Sequence, residues 1–332
     1  MKKIESTIKP FKLEEEALND HRADQISPKT SSADREPQQF TGRKTIGHAM
    51  RCFLAVSFLS TAFTVHAQNR PDFSKVEIKE TPVAGNVHLL EGAGGNIGAS
   101  VGPDGILIVD DEFLPLAEKI DAALGKLSDK PLQYVINTHV HGDHTGGNAY
   151  FGRKAKIIAQ ANVRTRLAAK TNAVPEELPV ITYDHDFSIY FNGEEIKIIA
   201  FGPGHTDGDS AVYFSSSKVL HLGDQYVNGR FPYVDVANGG DVKGFLKNLD
   251  SILAWVPADT KIIPGHGTVS TMDDLKRFRD FVAESIEVVQ KDIADGKTLD
   301  QAKANADFLE KYKQWRNGGR WLEAVYKSLT AK

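Results

Sequence analysis

Cysteine is all but missing from this chain. Cys52 is the only one in 332 residues, so no disulfide can form within it. An excess of charge of one sign is missing too. The formal net charge of −4 leaves no basic footprint for nucleic acid and no polybasic reason to bind a membrane. No apolar run reaches the ~20 residues a membrane span needs. No internal repeat or low-complexity segment follows Gln68. What remains, 41% hydrophobic and 25% charged, has the balance of a globular protein with ample material for a core.

The longest apolar run, Cys52 to Val65, follows Met50-Arg51 and leads into Val65-His66-Ala67. A short basic start, an apolar centre and small or medium residues before Gln68 make residues 50–67 a signal peptide, cleaved after Ala67. The mature chain, residues 68–332, is then periplasmic or secreted, with no stable membrane insertion. Cys52 leaves with the leader, which removes cysteine from any metal site. It also lies at the wrong end of the run for a lipoprotein. Residues 1–49 are polar, mixed in charge and aperiodic, the composition of a disordered segment. Signal peptides begin chains, so Met50 is the expected start and residues 1–49 an over-long reading of the gene, not translated.

After a surface lead-in over residues 68–80, short strands are expected at Val87 to Leu90, Ile97 to Val101 and Ile106 to Val109, with glycine turns between them. Leu116, Ile120, Leu124 and Leu127 recur at helical spacing, so residues 114–127 are expected to be a helix. Tyr134 to Ile136 is a buried strand, 146–151 a short helix, 156–159 a strand, 161–170 a helix and 171–180 a loop. Asn192-Gly193 marks a hairpin between 187–191 and 196–201. A second strand pair covers 211–214 and 219–222. Residues 225–240 carry Gly229, Pro232, Gly239 and Gly240, which predicts a long exposed loop. A helix over 242–255, a strand over 261–263 and a mostly helical segment over 272–330, interrupted near Gly296 and Gly318-Gly319, complete the chain. Trp315, Trp321 and Tyr326 are expected in its core.

The positive signal is His139-Val140-His141-Gly142-Asp143-His144, four metal-binding side chains in six residues just past a strand. Residues two apart on an extended segment point to one side, which pairs His139 with His141. Gly142 then lets the chain turn, so that Asp143 and His144 face a second position. Three further candidates lie past strand ends in glycine-containing turns: His205, Asp224 and His266. Each alone reads equally well as a turn or loop residue; all three together do not. Five imidazoles and two carboxylates exceed the needs of one tetrahedral zinc. They fit two ions sharing a carboxylate and a water, a hydrolase site. His88, His185 and His221 are expected to be structural.

Over roughly residues 76–331 these motifs resemble the metallo-β-lactamase superfamily. The resemblance implies an α/β fold: an αββα sandwich of two mixed sheets flanked by helices, with the metals between loops at one sheet edge. It implies that His139, His141 and His205 hold the first metal, that Asp143, His144 and His266 hold the second, and that Asp224 bridges them. Asp110, at a strand end, matches the acidic residue that orients a ligand ring from behind. The position of Asp224 is commonly cysteine or serine in the true β-lactamases. Aspartate there is the pattern of the glyoxalase II, lactonase and phosphodiesterase branches. His141 replaces the glutamate of the di-iron flavoprotein branch, which argues against a di-iron redox role.

The expected function is therefore an exported binuclear zinc hydrolase acting on a small molecule. A metal-bridging hydroxide would cleave a lactam, lactone or other ester-like bond, with Asp143 and Asp224 as catalytic residues. Imidazole and carboxylate donors suit two Zn2+, and they also accept iron or manganese. Export disfavours glutathione thioesters as substrates, and Asp224 sits awkwardly with β-lactamase activity. The alternatives are an iron-dependent sulfur dioxygenase-like oxidoreductase and a phosphodiesterase of the same superfamily. Substrate selection is expected from the 225–240 loop, where Arg230 and Tyr233 are candidate contacts.

Overall fold

The computed structural model describes residues 72–315 and 318–331. The expected leader and the polar segment before it lie outside the described residues. The described chain forms two sheets. The first contains β1 (Lys79–Ala84), β2 (Val87–Glu91), β3 (Ile97–Gly102), β4 (Gly105–Val109), β5 (Leu132–Asn137), β6 (Lys156–Gln160) and β7 (Ile181–Tyr183), in that spatial order. Its first four strands are antiparallel; β4 to β7 run parallel. The second contains β8 (Phe187–Phe191), β9 (Glu194–Ala200), β10 (Ser210–Phe214), β11 (Val219–His221), β12 (Lys261–Ile263) and β13 (Ser270–Thr271). Only β11 and β12 pair in parallel there. Both sheets are mixed.

Strand periodicity makes the layers. Side chains alternate faces along a strand, so in β4 Leu107 and Val109 point to one core and Ile106 and Ile108 to another. Leu107, Val109, Ile136 and Ile158 of the first sheet meet Ile196, Ile198, Val212 and Phe214 of the second, which fills the space between the sheets. On the outer face of the first sheet, Ile106, Ile108, Val135 and Ile157 pack against Ile120 and Leu124 of α1 (Ala117–Leu127). The short helices α2 (Gly142–Thr145), α3 (Asn148–Phe151) and α4 (Ala161–Ala168) follow β5 and β6. On the outer face of the second sheet, Tyr213, Leu220 and Ile262 meet α5 (Val242–Trp255) and α6 (Met272–Ala294). Then come α7 (Leu299–Lys303), α8 (Ala306–Lys311) and α9 (Gly318–Thr330). Helix, sheet, sheet, helix is the expected sandwich. No helix among the described residues is long and apolar enough to cross a membrane.

Two expectations change. Residues 225–240 are not an exposed loop: Tyr226, Val227, Phe231 and Val234 are buried, because they cover the end of the second sheet against α5, α6 and α9. The helical segment breaks after Lys311, as expected near Gly318-Gly319, which opens α9. Gly318 sits where an added Cβ would meet Leu309 and Phe231, a close approach that only glycine permits. The lead-in ends sooner than expected, since β1 already pairs from Lys79.

Candidate metal centre

The parallel run of β4, β5 and β6 ends its strands along one edge, where loops carry the polar side chains. Beyond β5, His139 and His141 stand on an extended stretch, and α2 turns Asp143 and His144 to the other side. His205 comes from the turn between β9 and β10, Asp224 from the turn after β11, and His266 from the loop after β12. All seven converge. Ligand atoms of His139, His141, His205 and Asp224 lie within 4.8 Å of one another, and so do those of Asp143, His144 and His266.

Asp224 faces both groups. Its Oδ2 is 3.6 Å from His205 Nε2, while its Oδ1 is 3.3 Å from His144 Nε2 and 3.5 Å from His266 Nε2. Asp143 Oδ2 is 3.2 Å from His266 Nε2. That placement is what a carboxylate shared by two cations requires.

In four of the five rings the nitrogen turned away from the centre has a partner, which sets the tautomer. Thr138 Oγ1 lies 3.0 Å from His139 Nδ1. His141 Nε2 donates to Asp235 Oδ2 at 2.8 Å, His144 Nδ1 to Asp110 Oδ2 at 2.7 Å, and His205 Nδ1 to the Tyr233 carbonyl at 2.7 Å. The inward atoms are thus His139 Nε2, His141 Nδ1, His144 Nε2 and His205 Nε2, with His141 Nδ1 and His205 Nε2 only 2.9 Å apart. Three inward atoms (His139 Nε2, His144 Nε2 and Asp224 Oδ1) are buried with no hydrogen-bond partner. Unpaired buried acceptors are costly, and lone pairs aimed at one another repel. A cation in each group removes both costs, so the donor set fits a metal pair.

Electrostatics agree. Burial holds His139, His141 and His205 below the usual imidazole range, reinforced by neighbouring imidazoles, so these three rings are uncharged at pH 7. In the second group burial resists charge, yet Asp224 and Asp110 pull His144 upward, and Asp224 and Asp143 raise His266 to about 9. Burial would raise Asp143, but the His266 hydrogen bond and the charge of His144 hold it at about 2. With no metal the carboxylates draw protons onto these rings; the field asks for positive charge.

Asp110 stands behind His144. Its φ of 64° turns the chain at the end of β4, and its carboxylate takes Thr138 N at 2.7 Å, Thr138 Oγ1 at 2.8 Å and His144. The turn over Gly92 to Asn96 closes on the centre: Gly95 N donates to the Asp143 carbonyl at 2.9 Å, and a Cβ at Gly95 would collide with the His144 ring. Tyr233 flanks the site, its ring 6.3 Å from that of His141 and 6.2 Å from that of His205. Arg230, in contrast, is exposed and pairs with no carboxylate among the described residues. Thr206 donates from N and Oγ1 to the Asp209 carboxylate. His221 is buried against the Asn96 carbonyl at 3.1 Å, outside both donor groups, and His88 pairs with Glu80. Asp235 and Asp209 escaped the sequence reading. Asp235 sits in the cryptic 225–240 segment, and its only local signal is an Asx turn to Asn238.

Comparison with known proteins places this architecture. Residues 81–280 match the model of the metallo-beta-lactamase superfamily. A type 2 metallo-beta-lactamase from Bacteroides fragilis is 25% identical over 47% of this chain and 61% of its own length. A hydroxyacylglutathione hydrolase from Nitrosococcus oceani is 30% identical over 46% of this chain and 55% of its own. The chain thus spans little more than half the length of these relatives. The solved metallo-beta-lactamase from Pontibacter korlensis shares the fold at a TM-score of 0.56 and 16% identity, over 62% of this chain and 99% of that one. The sandwich, its sheet-edge cluster and the match over 81–280 make this chain a member of the metallo-beta-lactamase superfamily.

Proposed function

We propose that the chain is an exported binuclear zinc hydrolase that cleaves a lactam, lactone or other ester-like bond in a small molecule. The observation that carries this reading is the pair of donor groups sharing Asp224, with three inward atoms buried and unpaired. When bound, two zinc ions lower the pKa of water to about 7 and polarise a carbonyl oxygen. The chain's own residues do the rest. His139, His141, His205 and Asp224 would hold one ion, and Asp143, His144, His266 and Asp224 the other. Asp143 is the more open carboxylate, with 29% of its side chain exposed against 13% for Asp224. Kept ionised, its carboxylate accepts a hydrogen bond from the attacking water and aims it. Asp235, Asp110 and the Tyr233 carbonyl hold the rings in register. Export rests on the leader motif over residues 50–67.

The test is metal analysis together with hydrolysis of a panel of lactams, lactones, esters and phosphodiesters by residues 68–332. Two zinc per chain with ester or lactam turnover is expected, as is steep loss in Asp224→Ala with the fold retained. About one iron and no zinc would replace this reading with the oxidoreductase. N-terminal sequencing of exported material should begin at Gln68.

A further inference from the structure

Tyr233 stands beside the candidate metal centre, its ring near those of His141 and His205, and it is also the wall of something else. A cavity of about 780 Å³ lies between residues 233–237 and α9. That volume falls within the range of small-molecule sites. Its floor is apolar, made of Val234, Val236 and Ala324, and its rim carries Arg320, Glu323 and Lys327 from one face of α9. Residues three, four and seven apart share a helical face, so these charges point the same way. The opposite face, with Trp321, Leu322 and Val325, is buried in the core and fixes the helix. Val242 N donates to Ser328 Oγ at 2.9 Å, tying the far end of α9 to α5. The cavity wall is built on packed elements.

Charge decides what the cavity takes. Lys327 Nζ donates to Glu323 Oε1 at 2.6 Å, so those two largely neutralise each other. Arg320 pairs with no carboxylate among the described residues. The rim is left with one uncompensated guanidinium, whose fork of donors matches a carboxylate. Tyr233, half exposed, bridges the two regions: its carbonyl holds His205 Nδ1 and its ring borders the cavity.

We propose that this cavity binds the part of the substrate away from the cleaved bond, an apolar chain or ring ending in a single carboxylate, and that Arg320 pairs with that carboxylate. This inference rests on the hydrolase reading and narrows it from small-molecule esters and lactams to monoanionic ones. The scissile carbonyl would lie at the metal centre and the tail would pass over Tyr233.

Two esters of equal chain length test it: the mono-para-nitrophenyl ester of suberic acid, which ends in a carboxylate, and para-nitrophenyl octanoate, which is neutral. For the zinc-loaded protein, Arg320→Gln should raise KM for the suberate ester roughly fivefold, the scale of a single partly exposed ion pair. It should leave kcat and the octanoate kinetics unchanged. Arg320→Lys should recover part of the loss, and high salt should erase the wild-type preference. Equal losses on both esters, or no loss on either, overturn the proposal. A protein that hydrolyses neither ester counts against the hydrolase reading, and calorimetric titration with phenylbutyrate then decides for the cavity. Weaker binding to Arg320→Gln than to wild type supports it, because a carboxylate held only by metal would not sense residue 320. Equal affinities overturn it.

Discussion

The seven candidate ligands are the visible part of this centre, but their geometry is set by residues behind them. Asp209 is an example. It is 2% exposed, and its carboxylate accepts Thr206 N, Thr206 Oγ1 at 2.6 Å and the Gln225 amide. It thereby joins the turn that carries His205 to the turn that carries Asp224. Burial pushes it up to about 7 despite those donors. The unfolded value is about 3.9, so between these limits the folded chain keeps a proton that the unfolded chain has lost. Stability from this group therefore falls as pH rises through that window. Asp209→Asn removes the effect. In chelator-treated protein, the variant should gain roughly 1–2 kcal/mol relative to wild type between pH 5 and pH 8, read from urea unfolding. Parallel pH profiles would show that Asp209 is ionised throughout. Nothing in Gly208-Asp209-Ser210 announces this role, because a carboxylate that grips two loops gains its meaning only when the loops meet. The histidine cluster is legible for the opposite reason: its density is local.

At the scale of elements, periodicity carried most of the information. Alternation along β4, the Asn192-Gly193 hairpin and the helical spacing of Ile120 and Leu124 are local patterns, and each element forms where its pattern lies. The 225–240 segment departs from expectation because its glycines and proline shape a covering segment rather than an exposed one. Its Tyr226, Phe231 and Val234 have no period, yet they bury against α6 and α9, a contact between residues far apart in sequence. The turn between β2 and β3 was equally undecidable. An ordinary hairpin turn and a site-lining turn share the same glycines, and only the approach of Gly95 to His144 separates them. His144 cannot retreat, since Asp110 holds its far nitrogen at 2.7 Å. Gly95→Ala should therefore displace the turn and weaken the metal of the second group by about tenfold or more, the scale of changes to groups that orient ligands. Gly125→Ala on α1 is the control: its added Cβ meets nothing within 4 Å, so metal affinity should be unaffected. Competition with a chelating dye measures both. Equal affinities in the two variants would mean that the turn yields freely.

For the whole molecule, the donor set and the fold are one thermodynamic object. Two sheets packed over aliphatic side chains bring the ends of β5, β11 and β12 to one edge, and folding thereby forces seven donors together. The cost is visible in the buried atoms that hydrogen-bond to nothing, each worth roughly 1–3 kcal/mol of lost solvation. A ligand that binds only the folded state returns this cost through mass action, about 4 kcal/mol at a thousandfold excess over Kd. For a chain of this size that corresponds to a shift on the order of ten degrees in melting temperature. Chelation should lower Tm by that order, and stoichiometric zinc should restore it. In Asp224→Ala the restoration should be much smaller, because the shared ligand is gone. Calorimetry on protein stripped and reloaded measures all three. A melting temperature indifferent to complete metal removal would mean that protons on His144 and His266 satisfy the cluster as well as metal does, and the donor set would then lose its claim to be a metal centre.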